Sequence, residues 1–140
     1  MTKEDFREIK AAYSFAELVE IIALLRGEGG CPWDREQTFE SMKKCLSDEC
    51  AEVLEAVDKQ DDDNLCEELG DVLLQVLIYS QIAKEKGLFS IDDVMTMLGK
   101  KMIRRHPHVF GDLIVSNPQE ALASWKAVKA AEMAARLTDR

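Results

Sequence analysis

Two acidic couplets, Glu49-x-x-Glu52 and Glu68-x-x-Asp71, each lie inside a run whose apolar residues recur with helical spacing. In the first run, residues 39–57, a rotation of about 100° per residue puts Phe39, Met42, Leu46, Val53 and Val57 on one side. Measured from Glu49 these fall at roughly 20 to 80°, with Glu52 about 60° the other way and Asp48 about 100°. The second run, residues 66–82, repeats the layout. From Glu68, the positions Leu65, Val72, Val76 and Tyr79 fall at roughly 20 to 80° and Asp71 about 60° the other way. Only the short acidic stretch Asp61-Asp62-Asp63-Asn64 separates the two, so the helices are expected to pack antiparallel through their apolar stripes. Both couplets then reach the same edge of one interface.

Four carboxylates brought that close repel one another unless a cation lies between them. An all-oxygen ligand set suits a hard ion, so Mg²⁺ is favoured, with Mn²⁺ as its substitute, over zinc or copper. The competing reading is a pair of solvated helix faces, because 27 of the 140 residues are acidic and E-x-x-E arises by chance in such a chain. A di-iron bundle requires Glu-x-x-His on its helices, and neither couplet contains histidine.

A length of 140 residues suits a single domain, here expected over 1–140 with a core from about residue 14 to 134. The net charge of −9 argues against coating a nucleic-acid polymer, which needs a basic face. It leaves a nucleotide open as substrate, since a metal can bridge carboxylates to phosphates. No apolar run approaches the ~20 residues of a membrane span, and the opening MTKEDFREIK has no signal-peptide apolar segment. A cytoplasmic setting with no membrane partner is therefore expected. Cys31, Cys45, Cys50 and Cys66 show no C-x-x-C or zinc spacing and read as reduced thiols.

Helical signals continue along the chain and no segment alternates with period two, so the predicted fold class is all-α. Ser14-x-x-Glu17 forms a capping box ahead of Leu18, Ile21, Ile22 and Leu25, and this helix stops before Gly27. The loop Gly29-Gly30-Cys31-Pro32-Trp33-Asp34 precedes the two acidic helices. Ser90-x-x-Asp93 opens a fourth helix through Ile91, Val94, Leu98 and Met102, and Asn117-Pro118 opens a last one through Leu122, Trp125 and Val128. Gly70 lies within the second acidic helix at a cost of roughly 1 kcal/mol relative to alanine. Either close helix packing or room for a ligand beside the couplet accounts for it.

Lys101 and Arg105, four apart on one helical face, suit phosphate oxygens, or else they complement the negative end of their helix. Trp125 and Lys129 repeat that spacing, as a plane to stack a base and an ammonium to hold a phosphate, or as a core tryptophan beside a surface lysine. His106 and His108 flank a proline and keep no zinc spacing with any cysteine or third histidine, so imidazoles bonded to backbone are expected. Trp33 either covers the site or pins its loop to the core. No nucleophilic triad and no glycine-rich phosphate loop is present in the sequence. Any active site must work through metal and carboxylate.

The segments LLRGEGGCPWDREQTFES, DECAEVLEAV, EELGDVLLQVLIYSQIA, KKMIRRHPHVFGD and WKAVKAAE, in this order from about Leu18 to Glu132, resemble the MazG family of nucleoside triphosphate pyrophosphohydrolases. The resemblance implies an all-α NTP pyrophosphatase bundle, assembled as a homodimer or higher homo-oligomer. It implies Mg²⁺-dependent hydrolysis of NTPs and dNTPs between the α- and β-phosphates to NMP and pyrophosphate, in the service of clearing non-canonical or excess nucleotides. Carried over by position, Glu49, Glu52, Glu68 and Asp71 are the catalytic metal ligands, and Lys101, Arg105, Trp125 and Lys129 the substrate contacts. The chain departs from the family's E-E-x-x-E motif at Asp48, one methylene shorter than the expected glutamate, which leaves its place at the metal open. Some members carry two such domains in tandem, where this chain has room for one. A narrower hydrolase acting on dCTP, dUTP or phosphoribosyl-ATP is a related reading. A catalytically weak, metal-stabilised dimer that binds a nucleotide or a protein as a regulator is the alternative from another class.

Overall fold

In a computed structural model that describes residues 1–138, the regular structure is all helical and no strand occurs among the described residues. A short 3₁₀ turn, Lys3–Phe6, precedes α1 (Phe15–Arg26), α2 (Pro32–Glu36), α3 (Lys43–Asp58), α4 (Asp62–Glu85), α5 (Ile91–Arg104), α6 (Pro107–Phe110) and α7 (Pro118–Thr138). These form two compact units, residues 1–91 and residues 92 onward.

Local chemistry sets the helix starts. The Ser14 hydroxyl accepts from the Glu17 amide at 3.2 Å and the Glu17 carboxylate accepts from the Ser14 amide at 3.2 Å, which completes the predicted capping box. Asn117 caps α7 by accepting from the Glu120 amide at 2.9 Å. The acidic stretch between the couplets is itself a helix start. Asp61 is the N-cap, accepting from the Asn64 amide at 3.2 Å, while Asp62 and Asp63 occupy the first turn, where negative charge meets the positive end of the helix. Gln60, with φ of 53°, reverses the chain ahead of it.

The first acidic helix begins four residues later than its apolar spacing predicts. Thr38 and Ser41 exchange side-chain and backbone hydrogen bonds of 2.8 and 3.1 Å, so residues 38–42 close into a separate turn. The glycine-rich loop contains a short helix, α2, for which Pro32 supplies the first position. Only glycine fits at Gly30, because a Cβ there would lie 2.2 Å from the Leu25 carbonyl oxygen. Arg26 ties α1, α2 and α4 together. Its guanidinium donates to the Asp34 carbonyl, to the Gln37 carbonyl at 3.1 Å, and to both Glu85 carboxylate oxygens at 2.9 and 3.2 Å.

In the first unit α4 packs against both α3 and α1. Ile22, Met42, Leu77, Ile78 and Ile82 form the buried core, with Leu18, Phe39, Leu73, Leu74 and Tyr79 packed around it. This double contact alters the predicted stripe. With neighbours on two sides, the second half of α4 buries Gln75, Leu77, Ile78, Ser80, Ile82 and Ala83, whereas Val76 is 38% exposed. At the end of α3 the small Ala56 takes the buried place and Val57 faces solvent.

α3 and α4 run antiparallel. Stepping back along the first acidic segment from Glu49 to Phe39 corresponds to stepping forward along α4 from Glu68 to Tyr79. There the Phe39 and Tyr79 rings stack at 5.9 Å and the Tyr79 hydroxyl donates to the Phe39 carbonyl at 3.0 Å.

Candidate metal site and basic-aromatic cluster

Glu49 and Glu52 lie one turn apart on α3, and Glu68 and Asp71 one turn apart on α4, so each couplet presents two carboxylates to the same edge of the hairpin. One carboxylate oxygen from each of the four lies within 4.8 Å of the others. Glu49, Glu68 and Asp71 are partly buried and Glu52 is exposed. One oxygen of Glu49 and one of Glu68 are shielded from solvent without a hydrogen-bond donor. Buried acceptors are ordinarily satisfied, so two orphaned carboxylate oxygens in one cluster call for a cationic or donor group.

The electrostatics agree. Burial and then the neighbouring Glu52 carboxylate push Glu49 above the usual carboxylate range. A hydrogen bond shared with Glu52, then burial and the charges of Glu52, Asp71 and Glu49, raise Glu68 to about 7. A divalent cation would reverse both shifts. The donor set is entirely oxygen, which fits Mg²⁺ or Mn²⁺.

Asp48 stands apart from the cluster, its carboxylate 2.7 Å from the Lys44 ammonium one turn earlier on α3. At Gly70, between the members of the second couplet, an added Cβ meets no atom within 4 Å. Among the described residues of this chain no helix packs closely on Gly70, and open space lies beside the couplet. Trp33, also left between two readings, is 54% exposed and does not anchor its loop in the core.

The second unit gathers the basic and aromatic residues. Arg105 is 7% exposed, and its guanidinium lies 4.8 Å above the centre of the Trp125 ring. It donates to one oxygen of Glu132 at 3.2 Å from Nε and 2.8 Å from Nη2, and Arg104 donates to the other. The two arginines hold the Glu132 carboxyl down at about 2. Trp125 and His106 make a T-shaped contact, ring centres 5.3 Å apart, and His106 Nδ1 lies 2.5 Å from the Met102 carbonyl oxygen, the backbone bond expected of it. His108 Nδ1 is buried without a partner. Lys101 is partly buried on α5 and Lys129 exposed on α7, one turn beyond Trp125.

Sequence reasoning missed Glu132, though its place two turns after Trp125 on the same helical face was a readable signal. It also missed Arg26 and Gln75. Gln75 is 4% exposed with an orphaned side-chain oxygen, one turn beyond Asp71.

The fold is all-α, and its antiparallel hairpin converges four carboxylates that could hold a metal ion between two helices. The family description that matches it is the MazG nucleotide pyrophosphohydrolase domain, over residues 37–110, just over half the chain. The chain belongs to this family, a family of hydrolases. The matched region contains both couplets, Lys101 and Arg105, and ends before Trp125 and Lys129. The chain is 49% identical over 131 residues to the nucleoside triphosphate pyrophosphohydrolase/pyrophosphatase MazG of Thermotoga maritima, covering 94% of this chain and 50% of that protein. It is 45% identical over 118 residues to a nucleoside triphosphate pyrophosphohydrolase of Escherichia coli, covering 84% and 45%. It is 50% identical over 127 residues to the uncharacterized protein YabN of Bacillus subtilis, covering 90% and 26%. The chain thus spans half or less of the length of these curated relatives. Among solved structures, a mazG-related protein from Thermotoga maritima superposes with a TM-score of 0.68 at 32% identity, covering 82% of this chain and 98% of that one.

Proposed function

We propose that this chain hydrolyses nucleoside triphosphates between the α- and β-phosphates, releasing NMP and pyrophosphate in a Mg²⁺-dependent reaction. The observation that carries the reading is the convergence of Glu49, Glu52, Glu68 and Asp71, with buried, unpartnered oxygens on Glu49 and Glu68. Membership in a nucleotide pyrophosphohydrolase family supports the substrate class. When bound, Mg²⁺ supplies Lewis acidity to a phosphoryl oxygen and a coordinated water of lowered pKa.

The four carboxylates hold the cation from both helices, and their fixed backbone spacing spares the site reorganisation on binding. Water oxygen bonds to the α-phosphorus as the bond from that phosphorus to the bridging oxygen breaks, and a carboxylate of the cluster accepts the proton. Lys101 and Lys129 offset charge on the polyphosphate, Trp125 packs on base or sugar, and Arg105, paired with Glu132, lies against that tryptophan. Both units belong to one catalytic domain that works as a homodimer or higher homo-oligomer. No described helix is long and apolar enough to cross a membrane.

Product analysis over a panel of NTPs and dNTPs, with Mg²⁺ or Mn²⁺, tests the reading. NMP and pyrophosphate are expected as first products; NDP and orthophosphate would overturn it. Tight Mg²⁺–nucleotide binding without turnover would point instead to a regulatory nucleotide-binding dimer.

A further inference from the structure

Glu132 is the centre of charge in the second unit and has no part in the reaction described above. Its carboxylate, only 12% exposed, is shared by two arginines from the end of α5. The two bonds differ in consequence. Arg104 is 46% exposed at its side chain and touches no aromatic ring among the described contacts, whereas the Arg105 side chain is 9% exposed and lies over Trp125. A buried guanidinium needs its counter-ion, because removing one partner of a desolvated pair strands the other charge. With Glu132 in place, Arg105 is fixed by two donors to one oxygen and lies over one face of the indole, while His106 makes a T-shaped contact with the same ring. Trp125 is therefore confined from two directions, and Glu132, two helical turns further along α7, anchors one of them.

We propose that Glu132 is a positioning residue for nucleotide binding: it holds the Arg105 guanidinium against Trp125 and so presents the indole in one orientation to the substrate. A side chain ordered before binding costs less entropy when substrate arrives. The inference rests on Trp125 as a nucleotide contact and assigns Arg105 a role in orienting that contact. The low Glu132 pKa of about 2 keeps the anchor charged throughout the working pH range.

The test uses the full chain in a Trp33→Phe background, so that Trp125 is the one tryptophan, with Mg²⁺ and an NTP that is turned over. In Glu132→Gln, KM is expected to rise about tenfold with kcat within about twofold, and the near-ultraviolet circular dichroism of Trp125 to collapse. Arg104→Gln, which removes the more exposed half of the same cluster, leaves both readings as they were. Wild-type KM and dichroism in Glu132→Gln would overturn the proposal, as would an equal rise in KM in both variants, which marks a general tether between α5 and α7. Should Glu132→Gln fail to fold, Arg105→Lys keeps the charge but loses the planar stack, and an unchanged Trp125 signal there overturns the proposal. A Trp125→Ala variant separates the two readings: unchanged KM removes the nucleotide contact, while the dichroism of Glu132→Gln still reports the hold on the ring.

Discussion

The Tyr79 hydroxyl donates a 3.0 Å hydrogen bond to the Phe39 carbonyl while the two rings stack at 5.9 Å, which fixes the register of the segment before α3 against α4. Two to three helical turns away, the same register places Glu49 and Glu52 opposite Glu68 and Asp71. Tyr79→Phe keeps the stack and loses the bond. Its expected cost is about 1 kcal/mol, read as a lower denaturation midpoint at unchanged slope. A midpoint equal to wild type would show that the rings alone hold the register.

Glu68→Gln and Asp71→Asn are expected to reduce turnover about 100-fold or more while helicity is retained. The metal-free Glu68→Gln protein should be more stable than wild type near neutral pH, because one of four mutually repelling acids is gone. Thermal unfolding with and without Mg²⁺ measures both effects, and the metal-induced rise in Tm should shrink. A variant with wild-type turnover would remove its residue from the ligand set.

Proton release is expected to accompany metal uptake at the carboxylate cluster. Glu68 is raised to about 7 in the metal-free fold from an ordinary 4.5, so the folded state binds more protons than the unfolded chain between these values. The stability this contributes is present below about 4.5 and lost as pH rises through about 7. Mg²⁺ must displace that proton, so its apparent affinity climbs over the same window. Calorimetric titration at pH 6 in two buffers of different ionisation enthalpy should show proton release that fades above pH 8. Equal heats in both buffers at pH 6 would contradict the shared-proton picture.

At Gly70 the absence of any atom within 4 Å of an added Cβ makes a two-way prediction. Gly70→Ala should stabilise the metal-free protein by about 1 kcal/mol through helix propensity. If substrate uses the space beside the couplet, KM rises in the same variant. A destabilised Gly70→Ala would mean that this space is filled in the assembled protein.

Acid unfolding should report Glu132. Held at about 2 by Arg104 and Arg105, its carboxylate contributes stability that is present above about 4.5 and lost as pH falls toward 2. Glu132→Gln is expected to unfold at a higher pH than wild type on acid titration followed by far-ultraviolet dichroism. Coincident acid transitions would show that the pair adds nothing to the fold.

What the sequence by itself determined is what depends on near neighbours along the chain. Caps at Ser14 and Asn117, the stop after Arg26 and the spacing of each couplet are all set within four residues, the reach of helical hydrogen bonding, as is the Asp61 cap, whose stretch reads in the sequence only as a separator. The convergence of the couplets was legible too, because the short turn at Gln60 and Asp61 leaves two amphipathic helices little choice but to fold back on each other. Tertiary structure alone decided which oxygens of Glu49 and Glu68 lose their water, and that Val76 is left outside while Gln75 goes in. It also decided that Arg105, readable as an open phosphate ligand, is held by Glu132, 27 residues away. Desolvation and long-range pairing depend on which helix faces meet. Periodicity shows that a face is apolar, but not which second neighbour covers it.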